Sequence, residues 1–149
     1  MKRRITTLVL AAGLVLGSTW AIAETGAISG EALALRSIMK DLGANMQAVT
    51  DGISREDWAL VTKTAPLIAD HPQPPFTEKV RIMAFMGTNM GRFKGYDEET
   101  HKAAESLQEA AAKGDGQAAI AAFQAVQTAC YGCHRDFRKP FLEHFYGAR

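Results

Sequence analysis

From residue 28 onward, apolar side chains recur at steps of three and four, and no stretch alternates apolar with polar residues as a half-buried strand would. Ile28, Ala32, Leu35, Met39, Leu42, Met46 and Val49 form one continuous seam. That seam predicts a helix over residues 29–50, about 33 Å long at 1.5 Å per residue. Asp51-Gly52 is the expected break. Ser54 with Asp57 three residues later resembles a capping box, opening a second helix striped by Trp58, Val61, Ala65 and Ile68. The run Asp70-His71-Pro72-Gln73-Pro74-Pro75 ends it, because proline lacks a donor and restricts the residue before it. Residues 77–94 keep helical spacing through Val80, Met83, Met86, Met90 and Phe93, weakened by Gly87 and Gly91, and are expected to form a helical connector. Asp97 is the expected cap of a third helix reaching Gly114, and Asp115 that of a fourth, in which Ala119, Phe123, Val126, Cys130, Cys133 and Phe137 repeat the rhythm. Pro140 should terminate it. The expected fold is therefore all-α: an antiparallel four-helix bundle with a partly helical connector between the second and third helices.

The first residues set the compartment. Met1-Lys2-Arg3-Arg4 is a positive start, residues 5–20 are mostly apolar, and Ala21-Ile22-Ala23 has small residues at a cleavage spacing. This is the layout of a secretory signal peptide, and the apolar stretch is shorter than the roughly 20 residues of a spanning anchor. Residues 1–23 are expected to be removed, leaving 24–149 as one soluble periplasmic domain with no stable membrane insertion. Losing Lys2, Arg3 and Arg4 takes Lys plus Arg from 17 to 14 against 16 acids, a net charge near −2. No basic stripe remains to suggest a nucleic-acid partner.

Both cysteines of the chain lie in Ala129-Cys130-Tyr131-Gly132-Cys133-His134. On a helix, Cys130, Cys133, His134, Phe137 and Arg138 share one face, with Tyr131 and Gly132 as spacers on the other side of the turn. Two thiols one turn apart, with a histidine directly after the second, form the C-x-x-C-H signature of haem attachment. The thiols can add to two vinyl groups of one haem, and the imidazole then lies under the iron as an axial ligand. Other readings fit less well. A thioredoxin-like dithiol belongs in a βαβ setting, zinc asks for four ligands, and a disulfide across one helical turn is strained.

An exported four-helix chain with this motif near its C-terminus resembles the cytochrome c′ and cytochrome c-556 family, the class II c-type cytochromes. The likeness is carried by residues 114–139 of the fourth helix and by Leu35-Arg36-Ser37-Ile38-Met39-Lys40-Asp41-Leu42-Gly43-Ala44-Asn45-Met46 of the first. It implies a left-handed four-helix bundle holding one covalently bound haem c near one end, in an electron carrier rather than an enzyme. Cys130 and Cys133 match the attachment positions and His134 the proximal ligand. Met39 matches the family's distal position.

The distal position separates two functions. A Met39 thioether on the iron gives a six-coordinate His/Met haem suited to one-electron transfer, as in proteins of the c-556 type. A five-coordinate iron, typical of cytochromes c′, binds nitric oxide or carbon monoxide. Met46 reads as core filler, while Met83, Met86 and Met90 compete with Met39 if the connector folds over the haem. The family's first helix often carries arginine, near the haem propionates, where Leu35 stands four residues before the distal position, and Arg36 is displaced from it by one. Arg138 fits a family arginine that reaches a haem propionate, although a solvated cation near a helix end is the plainer reading. Phe137 is expected beside the haem. His71, His101 and His144 read as surface histidines, and Phe141, Phe145 and Tyr146 as an aromatic tail covering either the protein's own surface or an interface. Redox proteins and small gas molecules are the implied partners, and the resemblance is compatible with a monomer or with a homodimer built on the first two helices.

Overall fold

The computed structural model describes residues 32–147; the expected signal peptide and the expected beginning of the first helix lie outside the described residues. The helices are α1 (Ala34–Ser54), α2 (Trp58–Ala69), α3 (Phe76–Met86), α4 (Met90–Ala112), α5 (Gly116–Cys133) and α6 (Lys139–Tyr146). A 3₁₀ turn, Gly87–Asn89, joins α3 to α4, and a π-helical turn, His134–Arg138, joins α5 to α6. No strand occurs among the described residues. The bundle consists of α1, α2, α4 and α5, with α1 packed on α2, α2 on α4 and α4 on α5, while α5 meets α1 only lightly. The three-residue connections after α1 and α4 enforce antiparallel neighbours. The expected fold class is the observed one, with α3 as the connector.

The boundaries differ from expectation in four places. Asp51-Gly52 does not break α1. A Cβ on Gly52 would stand 2.8 Å from a Val61 methyl and 3.3 Å from the Asp57 carbonyl, so this glycine allows α1 and α2 to approach closely. The turn falls at Arg55–Asp57, and Asp57 rather than Ser54 caps α2, accepting the Leu60 N–H at 3.0 Å. Ser54 instead donates to the Thr50 carbonyl at 2.7 Å. Asp97 is not a cap either: α4 starts at Met90 because Met90, Phe93 and Tyr96 have a hydrophobic cluster to pack against, which outweighs the cost of Gly91 and Gly95. Asp115 does cap α5, accepting the Ala118 N–H at 3.0 Å.

The fourth difference is Pro140. A proline ring clashes with the carbonyl four residues earlier in a regular helix. Here the helix widens to π geometry over His134–Arg138, directly before the proline, and the chain continues as α6 with Pro140 in its first turn.

Two hydrophobic clusters result. The bundle core contains Val49, Val61, Ile68, Leu107, Ala111 and Val126, and the buried alanines of α4 let helices pack closely. The second cluster centres on Ile82, Met86 and Phe137 and joins α3, the start of α4 and the C-terminal segment.

Candidate functional site

Where α1 and α5 fail to meet, the bundle opens into a cavity of about 1410 Å³. This exceeds the roughly 300–1,000 Å³ of ordinary small-molecule pockets. Its walls come from α1, the segment after α2, α3, the start of α4 and the C-terminal residues, with Leu35, Leu42, Ile82, Phe93 and Phe141 among the apolar ones.

Cys130, Cys133 and His134 all line this cavity. The thiols are half-buried and not joined to each other. Burial pushes both thiols up, Cys133 to about 11 with the neighbouring Cys130 adding to the effect, so both are protonated at neutral pH. Burial and then the Arg138 guanidinium hold the His134 imidazole below its ordinary value, which favours the neutral ring a metal ligand requires.

Charge around the cavity is uneven. Its carboxylates are already engaged: Asp97 with His71 at 3.0 Å, Glu98 with Lys102 at 2.6 Å, Asp70 with His101 at 3.8 Å and Glu143 with Lys139 at 4.0 Å. Among the described residues no carboxylate lies within 4.0 Å of Arg36, Lys79, Lys94 or Arg138, which also line it. A large apolar-walled cavity with two free thiols, a neutral imidazole and spare cations fits a haem c, whose macrocycle is apolar and whose carboxylates are anionic.

Met39 lines the cavity from α1 and is 39% exposed. Met46, Met83 and Met90 also reach the wall, whereas Met86 turns into the second cluster, 3% exposed. Phe137 is buried at the cavity wall, edge-on to Phe93 at 5.7 Å and to Tyr96 at 6.3 Å, with Arg92 over its ring at 5.1 Å. Arg138 is exposed at the rim. Leu35 and Arg36 both line the cavity, Arg36 with its guanidinium 5.6 Å from the centre of the Tyr146 ring.

Of the three histidines read as surface residues, His71 departs from that reading and His144 is exposed. The His71 side chain is only 11% exposed and lines the cavity. Its Nε2 lies 3.0 Å from Asp97 Oδ1 and its Nδ1 3.0 Å from the Pro72 carbonyl, so both nitrogens face acceptors. The Asp97 carboxylate accordingly raises His71 above its ordinary value, and His71 lowers Asp97 in return. His101 also lines the cavity and is bonded to the Ala69 carbonyl at 3.0 Å. His144 is exposed but stacks on Phe85 at 4.6 Å. Phe85 further packs edge-on to Phe141 and Phe145, at 5.8 and 5.4 Å, so the aromatic tail covers α3 of the same chain.

Four residues support the site in ways the sequence did not reveal: Gly132, Tyr96, Asp136 and Glu78. Gly132 is no mere spacer: it is buried, and a Cβ there would stand 2.6 Å from Tyr96 Cε1. The Tyr96 hydroxyl donates to Asp136 Oδ2 at 2.7 Å, and Asp136 also meets Arg135 at 3.0 Å and Arg92 at 3.6 Å. This network braces the π turn that carries His134. Glu78, 7% exposed, accepts the Ala34 and Leu35 N–H groups at 2.7 and 2.8 Å, capping α1 from another helix. The glycine between the cysteines was a visible signal; the Tyr96–Asp136 and Glu78–α1 pairs span 40 or more residues and left none.

A family model described as Cytochrome C' matches residues 33–138, covering α1 through the π turn and leaving α6 outside. No curated protein matches the chain.

Proposed function

The chain belongs to the cytochrome c′ family, whose members bind haem c and act as electron carriers or gas binders, and from that premise we propose a one-electron carrier with a single His/Met-ligated haem c. When bound, the haem supplies a one-electron iron couple. Cys130 and Cys133 would hold it covalently, each S–H adding across one vinyl C=C to form a thioether. His134 is assigned as the proximal ligand and Met39 as the distal one. Phe137 is assigned to packing beside the ring, and Arg138 to charge-assisted contact with its carboxylates. Residues 1–23 are assigned to export, which puts the mature chain, 24–149, in the periplasm. No helix among the described residues is long and apolar enough to cross a membrane. Redox proteins are the proposed partners.

One observation supports the six-coordinate reading: Met39, on α1 across the loose seam from α5, lines the same cavity as Cys130, Cys133 and His134. A thioether ligand raises the potential and keeps the iron low-spin. The test is Met39→Ala in the haem-loaded protein. The wild type is expected to be low-spin, with sharp α and β bands when reduced. The variant is expected to become high-spin, to lose potential and to bind carbon monoxide. An unchanged spectrum would show that Met39 is not the ligand, and a high-spin wild type that takes up nitric oxide or carbon monoxide would replace the carrier by a gas binder.

A further inference from the structure

Helix α3 is apolar on two opposite faces. Its inner face is accounted for: Ile82, Phe85 and Met86 belong to the second cluster, and Glu78 caps α1. Its outer face repeats at four and three residues through Phe76, Val80 and Met83, which are 80%, 47% and 51% exposed. Single exposed apolar residues are ordinary, but three in helical register make a stripe about 10 Å long at 1.5 Å per residue. The stripe reaches the cavity, whose wall includes Met83 and the neighbouring Lys79.

Charge selects what could cover it. From His71 to Gly95 the one acid is Glu78, and its carboxylate is buried against the Ala34 and Leu35 N–H groups. The same segment carries Lys79, Arg81, Arg92 and Lys94. Arg92 meets Asp136 at 3.6 Å, but among the described residues no carboxylate lies within 4.0 Å of Lys79, Arg81 or Lys94. The stripe thus sits in a positive patch on a chain whose mature form is expected near −2. A twofold contact with a second copy would bring two such patches together, which like charges oppose. The complementary occupant has an apolar centre and an acidic rim.

We propose that Phe76, Val80 and Met83, with Lys79 and Arg81 beside them and Lys94 at the cavity mouth, form the docking surface for an acidic redox protein. This rests on the carrier reading of the site but not on Met39 as the ligand. The cations steer the partner in, and the stripe excludes water from the contact. Docking here sets the partner against the cavity wall, and electron transfer slows steeply with separation.

The probe is a flavodoxin, an acidic one-electron donor whose flavin edge has an apolar rim. Amide shifts of the reduced, haem-loaded protein are followed by nuclear magnetic resonance as oxidised flavodoxin is added, so that binding is read with no electron moving. Shifts should centre on α3. Both proteins carry net negative charge, so repulsion of the whole molecules would make binding tighten with salt. The patch predicts the reverse: binding should weaken between about 0.01 M and 0.1 M ionic strength, as the screening length falls from about 30 Å to about 10 Å. Lys79→Glu with Arg81→Glu should weaken binding at low salt by about tenfold. Phe76→Ser, at a position too exposed to support the fold, should weaken it at both salt concentrations. In stopped flow, one electron passes from the flavin hydroquinone, leaving its semiquinone, to the ferric haem, and the same variants should slow that step at limiting protein concentration. No binding, binding that tightens with salt, or variants that bind like the wild type would overturn the proposal. So would a dimer, in sedimentation, that Phe76→Ser dissociates, giving the stripe to a second copy, or binding to phosphatidylglycerol vesicles that Phe76→Ser abolishes, giving it to a lipid surface. A high-spin wild type that takes up carbon monoxide fails the carrier reading instead, and the spectrum shows this before any flavodoxin is added.

Discussion

Replacing Gly132 by alanine adds one methyl group to a buried wall, and the structure fixes what it meets. The added carbon would stand 2.6 Å from Tyr96 Cε1 and 3.2 Å from Cζ. That ring is held at its far end by the 2.7 Å bond to Asp136. Two responses are open. If the ring stays, α5 must shift, at the roughly 1–3 kcal/mol typical of overpacking. If the ring leaves, its hydrogen bond to the Asp136 carboxylate is lost. Either way alanine returns about 0.5–1 kcal/mol through its better helix propensity. The expected net loss is about 1–2 kcal/mol, measured by denaturant unfolding of the haem-loaded protein followed by far-ultraviolet circular dichroism. The sign depends on the partner. In a Tyr96→Ala background the obstacle is gone, and Gly132→Ala should stabilise by about 0.5–1 kcal/mol. Equal destabilisation in both backgrounds, or none in either, would refute the assignment of Gly132 to the Tyr96 contact.

Two further predictions concern the supports of the cavity. Glu78→Ala removes the side chain that caps α1 and should cost about 1–2 kcal/mol; Glu78→Gln, keeping one acceptor oxygen, should cost less. Hydrogen exchange should quicken in the first turn of α1, and unchanged protection there would refute the cap. For the His71–Asp97 pair, the folded His71 value lies above the ordinary 6.5, so its contribution is complete below about pH 6 and lost as pH rises through the folded value. Asp97 lies below its ordinary 3.8, so its contribution fades on acidification instead. Stability should therefore fall by about 1 kcal/mol or less between pH 5.5 and pH 8.5, a small amount because Asp97 is 54% exposed. Asp97→Asn should flatten that decline; a slope unaltered by the substitution would show that the pair is not its source.

The sequence was informative wherever a signal is local. The four-three rhythm of α1 and α5 made the bundle visible, and the C-x-x-C-H motif was legible as such, its cysteines on the last turn of α5 and His134 at the start of the π turn. Local rules also misled where tertiary contacts compete with them. Gly52 looks like a breaker and is a point of helix contact; Asp97 looks like a cap and is a partner for His71. Pro140 looks like a terminator, but one widened turn lets the helix continue past it. What no local rule could reach was the set of pairings between distant segments: Glu78 with the start of α1, Tyr96 with Asp136, and Phe85 with the aromatic tail. None has a periodicity, because each is set by where the helices come to rest.

Those distant pairings decide whether the bundle can hold a prosthetic group at all. Four close-packed helices with alanine at their contacts leave no room for one, as the core around Leu107 and Val126 shows. Room appears only where α1 and α5 diverge, and an open seam with apolar walls would close or flood unless its sides were held. Two sides are fixed from outside the four-helix frame, α1 by Glu78 of α3 and the outer wall by α6 clamped on Phe85, and the end of α5 is held by the brace from Tyr96 at the start of α4 to Asp136. The connector and the tail thus hold two of the cavity's sides, although the C-x-x-C-H motif lies in neither. Chemistry and support are divided in the same way along the chain. The groups assigned to bind the haem covalently or ligate it sit on bundle helices or at the start of the π turn, while their surroundings depend on contacts made from α3, the start of α4 and the C-terminal segment.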